Sequence, residues 1–243
     1  MTHFQNNDKA NPACKLQIKF VYPNAGMDEK DLKNLQTLFI EKILNPSLSN
    51  QTPQKALDTF TSDYLAEFDR FAQYEDPDDS DETETNPEDE NEYLYYLTLE
   101  DQIVYNKNNF ISFYVEKHIF EGGAHGSNSI YGYVVNLTTG NLVTEDSFAG
   151  INYSQNLSSL MAKKLATENG VSNPQELENI GYINISDIGP NNNFTLDEKG
   201  ITYYFNEYEI GAYFLGVTKI FIPYEELIMY TTDNSLIHPI IAL

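Results

Sequence analysis

The residues of this chain best able to do chemistry lie in one stretch, Phe113 to Gly126, where a strand-like run ends in Glu121-Gly122-Gly123-Ala124-His125-Gly126. Imidazole titrates near neutrality and can act as a metal ligand or as a general acid and base. Two adjacent glycines let the main chain take positive φ or pass close to another segment. A metal site would need His118, His125 and a carboxylate such as Glu116 or Glu121 to converge across that bend, at a spacing looser than such sites usually show. Acid–base catalysis would pair His125 with Glu207 or Glu209, yet no nucleophile signature accompanies them. The sequence contains no G-x-G-x-x-G, no phosphate loop, no H-E-x-x-H and no G-x-S-x-G. The residues therefore predict no catalytic set, no metal site and no cofactor. They favour His125 as a polar ring hydrogen-bonded to the main chain of a tight turn, with Gly122, Gly123 and His125 as binding candidates.

The net charge of −23, with Arg70 the one arginine among 14 basic residues, leaves almost no bidentate phosphate clamps and speaks against nucleic acid as a partner. An acidic surface favours cationic partners. One cysteine, Cys14, excludes an internal disulfide and a cysteine-based zinc site. The polar start, Met1 to Lys9, predicts neither a secretory signal nor a membrane span in the sequence as written, so the chain is either cytoplasmic or exported with its leader removed. Cys14 just ahead of the first strand also fits a lipid anchor, through a segment that includes or precedes it.

The elements that must position the turn are legible from periodicity. Leu16, Ile18, Phe20 and Tyr22 alternate as a strand ended by Pro23. Asp28 caps a helix with Leu32, Leu35, Phe39 and Ile43 on one stripe, and Thr52-Pro53 opens another carrying Leu57, Phe60, Tyr64, Phe68 and Phe71. From Glu75 to Glu92 eleven of eighteen residues are acidic, which predicts a solvated, mobile loop. A calcium loop on Asp79, Asp81, Thr83 and Glu90 is the alternative, weakened by Glu84 where such a loop needs glycine. Tyr93 to Tyr105 and Phe110 to Phe120 form a long hairpin around Asn106-Lys107-Asn108-Asn109. In its second strand Ile111, Phe113, Val115 and Ile119 share one face and Ser112, Tyr114, Glu116 and His118 the other, which predicts that His118 faces water. Strands follow at 130–137 and 142–143, helices around Leu157 to Leu165 and after Asn173-Pro174, strands at 194–196, 201–205 and 219–222, and a short helix from Tyr224 to Met229. The fold class is α/β (α+β), two-layer, a mainly antiparallel sheet with helices packed on one face. Residues 14–74 form an N-terminal strand–helix–helix part, 75–92 the acidic loop, and 93–243 the larger C-terminal domain.

Gly122-Gly123-Ala124-His125, the turn Asn136 to Gly140, Glu145-Asp146-Ser147-Phe148, Tyr204 to Ile210, Gly216 and Ile222-Pro223-Tyr224 follow one another in an order that resembles a known family. It is similar to the extracytoplasmic domain of RsiV-like anti-sigma factors, the domain of unknown function numbered 3298. That domain has a companion N-terminal region of the 4163 type and is also found beside polysaccharide deacetylase domains. The resemblance implies an α/β domain outside the cytoplasm that acts by binding, in the best-known members by gripping lysozyme, and it adds Tyr208 and Glu209 to the binding candidates. The chain departs from the family setting in having no transmembrane or sigma-binding segment, and in carrying Gly126 where relatives often have proline. The partner so implied is a cationic, cell-wall-associated protein such as a lysozyme. The alternative is a cell-envelope hydrolase or polysaccharide deacetylase-related enzyme using His125. The resemblance also leads to the expectation that His125 bonds the Tyr208-Glu209-Ile210 main chain.

Overall fold

A computed structural model describes residues 2–5, 14–72 and 95–232. The acidic run, its calcium-loop alternative and His238 lie outside the described residues, as do the side chains of His3 and Phe71. The chain is mixed α/β and divides into two compact units, one of residues 1–100 and 117–127, the other of 101–116 and 128–243. Two sheets are built, one of order β1-β2-β3-β4-β5-β6 and one of order β7-β8-β9.

In the first unit β1 (Thr2–Gln5) pairs antiparallel with β2 (Cys14–Lys19), and β2 runs parallel to β3 (Tyr95–Lys107), Cys14 opposite Tyr95 and Lys19 opposite Glu100. This pair is the parallel one in a sheet expected to be mainly antiparallel. The cause is the long connection, which carries two helices and so can return the chain in the same direction. The first, α1 (Glu29–Phe39), is capped by Asp28, whose carboxylate accepts from the Asp31 amide at 3.0 Å. It runs into a π-helical turn, Ile40–Leu44, and Asn45 then caps a 3-10 turn by accepting from the Ser47 amide. The second, α2 (Pro53–Ala72), packs on β2. Of its expected stripe Phe68 is buried, while Leu57, Phe60 and Tyr64 are only half covered. Cys14, Leu16 and Ile18 alternate inward along β2, as Leu97 and Leu99 do along β3.

Residues 101–107 of β3 and 110–116 of β4 (Phe110–Glu121) belong to the second unit. They are joined through Asn108 and Asn109, both at positive φ (52° and 60°), so the turn is two residues rather than the four expected. β5 (Ser127–Asn136) meets β6 (Asn141–Leu142) over two residues only, Val135 opposite Leu142 and Asn136 opposite Asn141. β7 (Phe194–Leu196), β8 (Gly200–Phe205) and β9 (Thr218–Pro223) make the antiparallel second sheet, on which α3 (Tyr153–Glu168) packs through Leu157, Met161 and Leu165. The segment after Asn173-Pro174 is a 3-10 helix, Pro174–Ile180, ended by Gly181 at φ 103°. The last helix, α4 (Tyr224–Leu227), is shorter than expected and tightens into a 3-10 turn.

The second sheet corrects the reading of β4. Ser112 is fully buried, not wet, and its Oγ accepts from the Leu196 amide of β7 at 3.0 Å. Tyr114 lies 6.1 Å from the ring of Tyr204 on β8. A strand covered on both faces loses the clean alternation from which a solvent face is read. His118 is likewise half-buried rather than open to water.

β5 makes a close main-chain approach to the second sheet. A Cβ at Gly132 would stand 2.5 Å from the carbonyl carbon and oxygen of Phe194, atoms of β7 that cannot swing aside. Gly132→Ala should therefore cost about 1–3 kcal/mol through overpacking. The check is a lowered denaturant midpoint at unchanged slope. A midpoint equal to the parent's would refute the constraint.

Candidate functional site

The glycine–histidine turn is built as a close-approach device. β4 ends at Glu121, and Gly122 and Gly123 follow at φ 88° and 98°, conformations that side chains with a Cβ rarely adopt. Gly126 is required differently: a Cβ there would stand 2.5 Å from the Tyr96 hydroxyl and 3.1 Å from the Ile119 carbonyl oxygen. Tyr96 is itself held by stacking on Phe120 at 5.9 Å. His125 is exposed, and its Nδ1 lies 2.9 Å from the Gly126 carbonyl oxygen, a contact that fixes the Nδ1–H tautomer when it donates. The ring is thus tied to the main chain of its own turn. Among the described residues no three His, Cys, Asp or Glu side chains are grouped to hold a metal ion. Cys14 is buried in β2, where burial and the carboxylates of Asp69 and Glu121 push its thiol up to about 11. A thiol so packed is not presented for acylation.

Tyr208 and Glu209 belong to the other unit, so the structure splits the expected site residues into two groups. Six described non-glycine residues have positive φ; five are asparagines, which tolerate it, and the sixth is Tyr208 at φ 67°. Its ring is 55% exposed and stacks on Tyr213 at 6.0 Å. Nearby in the chain, Phe214 is 73% exposed and lies over Gly181, where a Cβ would meet its ring. Glu209 is exposed and, with Tyr131, Tyr133 and Asn191 to Asn193, lines an open recess of about 400 Å³.

What sequence reasoning missed is the set of side chains that holds this segment. Along one edge of β5 the Val134 carbonyl accepts from the Val143 amide, and side chains meet the main chain of Asn128, Ile130 and Gly132. Asn206 accepts from the Ile130 amide at 2.7 Å, and Asn193 accepts from the Gly132 amide at 2.7 Å while donating to the Ile130 and Tyr204 carbonyls. Glu207 takes the Asn128 amide on one carboxylate oxygen and its side-chain amide on the other. The run Pro190-Asn191-Asn192-Asn193 was the available signal, since asparagine is the side chain that most closely mimics a peptide group.

A buried polar chain sits in the same unit. Glu145 is only 7% exposed; its Oε1 accepts from the Asn192 amide at 3.3 Å, and the Glu145 amide donates to Asn192 Oδ1 at 2.9 Å. The Tyr203 hydroxyl also faces the carboxylate, and lies 2.8 Å from the Tyr153 hydroxyl. Burial raises the Glu145 carboxyl above the usual range despite these hydrogen bonds, and pushes both tyrosines well above theirs.

The arrangement defines an α/β protein whose exposed candidate residues are aromatic and acidic, held by a rigid polar frame. Residues 141–225 match the family model described as a protein of unknown function (DUF3298), and residues 32–128 match the model described as Deacetylase PdaC. The chain is thus similar to the DUF3298 model in its C-terminal part and to the PdaC model ahead of it. A DUF3298 family member from Bacteroides fragilis, solved by crystallography, is 26% identical, with a TM-score of 0.84 over 100% of this chain and 97% of that one. A DUF3298 family protein from Pseudomonas aeruginosa shares the fold at 12% identity, with a TM-score of 0.64 over 96% of this chain and 92% of that one. No curated protein matches the chain.

Two outcomes follow from this geometry. Because His125 is exposed, His125→Ala should change stability by no more than about 0.5 kcal/mol, not the larger loss a buried ring would bring. Gly123→Val, at φ 98° with open space around the Cβ, should cost about 1–3 kcal/mol through the backbone alone. Thermal melts of both variants check the contrast. For Glu145, a folded-state pKa above the unfolded one means that the native state holds the extra proton. Its contribution to stability is then greatest below the usual glutamate range and is lost as pH rises through the folded value. In Glu145→Gln that fall should vanish, so the variant gains on the parent between acid and neutral pH; parallel stability–pH curves would refute it.

Proposed function

We propose that this chain is a non-catalytic protein-binding module that works outside the cytoplasm, as RsiV-like proteins do, and grips a cationic, cell-wall-associated protein of the lysozyme kind. The observation that carries this is Tyr208, a large aromatic side chain held at φ 67° and 55% exposed. Backbone strain at an exposed aromatic is retained where the side chain has a task, because folding alone gains nothing from it. Tyrosine is also a residue from which interface hot spots are built.

The electrostatics support a basic partner. A chain with net charge −23 attracts a cationic protein over a distance set by salt, while the aromatic contacts supply a term that salt leaves in place. Glu209, at the recess beside Tyr131, puts a carboxylate next to that aromatic surface. No described helix is long and apolar enough to cross a membrane. An anchor, if the exported chain uses one, acts through the segment ahead of β2, since the Cys14 thiol is packed inside. The name of the N-terminal model supplies the competing reading, a polysaccharide deacetylase-related enzyme using His125.

Titration calorimetry against a cationic lysozyme at low and at moderate salt tests the proposal. Saturable binding should persist at moderate salt and disappear in Tyr208→Gly. That variant should melt at the parent's temperature or above it, by up to about 1 kcal/mol, because glycine sits at positive φ without strain. Heat lost entirely at moderate salt, or a Tyr208→Gly protein that binds as the parent does, overturns it. Release of acetate from an N-acetylated glycan, abolished by His125→Ala, would establish the enzyme instead.

A further inference from the structure

The first unit contains a partly enclosed cavity of about 320 Å³, lined by Tyr64, Glu67 and Phe68 of α2, Tyr95 at the start of β3 and Glu121 at the end of β4. Its walls are aromatic. Phe68 and Tyr95 meet edge to face at 5.3 Å, and a Cβ on Gly122 would come within 3.6 Å of the Tyr95 hydroxyl, so the glycine turn lies against the same pocket. The Tyr64 hydroxyl oxygen is closed off from bulk water, and the group it faces is the Glu121 carboxylate.

The charges around the pocket are of one sign. Burial raises the pKa of the Tyr64 hydroxyl and of the Cys14 thiol, and the carboxylates add to it, Glu121 and Glu67 at Tyr64, Asp69 and Glu121 at Cys14. Tyr64 therefore stays protonated over the whole neutral range, with its oxygen available as an acceptor. An anion is repelled here. A neutral apolar ligand would gain from the rings but would strip water from two carboxylates and offer them nothing in return. A cation with an apolar stem satisfies every wall at once, since aromatic faces attract cations and carboxylates pair with them.

We propose that this cavity binds an organic ammonium ion, its stem against Phe68 and Tyr95 and its head shared among Glu67, Glu121 and the Tyr64 hydroxyl. An alkylammonium head has three donors and no acceptor, which suits two carboxylates and a hydroxyl whose own O–H can turn to Glu121 and leave its oxygen to accept. The same chemistry is presented by a small free amine and by a lysine side chain on another protein. The inference is independent of the Tyr208 reading, because that surface belongs to the other unit.

The test uses the full chain with n-butylammonium, with Nα-acetyl-lysine amide and with 1-pentanol as a neutral molecule of similar shape, each followed by titration calorimetry. Butylammonium should bind saturably, and pentanol at least tenfold more weakly. Glu121→Gln, at an exposed position that leaves the fold intact, should weaken the ammonium at least tenfold, and Tyr64→Phe should weaken it at an unchanged or higher melting temperature. Tyr208→Gly should bind it as the parent does, which separates failure here from failure of the lysozyme reading. Binding of the lysine derivative as tight as that of butylammonium makes a lysine side chain the ligand; binding of butylammonium alone makes it a small amine. Absence of saturation with both ammonium probes overturns the proposal, as does pentanol binding equal to the amine's or a Glu121→Gln protein with the parent's affinity.

Discussion

The second unit depends on how one edge of β5 is closed. A strand that pairs with its neighbour over two residues leaves a row of peptide groups open, and such a row invites another chain. Here Asn193, Asn206 and Glu207 occupy the row and return hydrogen bonds to it, so three side chains take the place of a strand. Asn193 also donates to the Tyr204 carbonyl, which ties the edge of the first sheet to β8 in the second. Gly132 completes the arrangement by letting β7 approach at a distance no side chain would permit. The position of Tyr208 follows, because it comes directly after Asn206 and Glu207, two residues whose places are fixed by that edge.

The burial of Glu145 has a similar logic. It lies in a short turn at the rim of the second unit's core, and it exchanges two hydrogen bonds with Asn192, the residue just ahead of Asn193. The asparagine run thus works on both sides, closing β5 with one residue and holding a buried carboxylate with the next. A charged group kept inside at the cost of desolvation is tolerable when its lone pairs are met by donors already fixed in place. Asn192 is at positive φ (56°), a shape that asparagine takes readily and that points its amide at Glu145.

Most of the elements were legible in the sequence because they obey one period at a time. The α1 cap at Asp28, the Pro53 start of α2, the stripe Leu157, Met161 and Leu165 of α3 and the strands of the second sheet all stand where alternation and helical spacing put them. What was not legible has physical causes. β2 and β3 run parallel because of the helical connection between them, a property of the chain's path that no residue in either strand records. Ser112 reads as solvent-facing until a second sheet covers it. For the site, the paired glycines mark the turn, while Tyr208 and Glu209 enter through the family resemblance and not through any pattern of their own. The roles of Asn193, Asn206 and Glu207 were not visible, since a side chain that caps a strand edge is set by a contact 60 to 80 residues away in sequence.

Cys14 gives the first unit a reporter that required no engineering. It is the one thiol in 243 residues, it sits at zero exposure on β2, and its pKa near 11 leaves little thiolate at neutral pH. A thiol reagent can reach it only when β2 parts from its neighbours, so the rate of modification counts openings of that unit alone. The second unit has no thiol and stays silent in such a measurement. One chemical label therefore times the breathing of the first unit without any signal from the second.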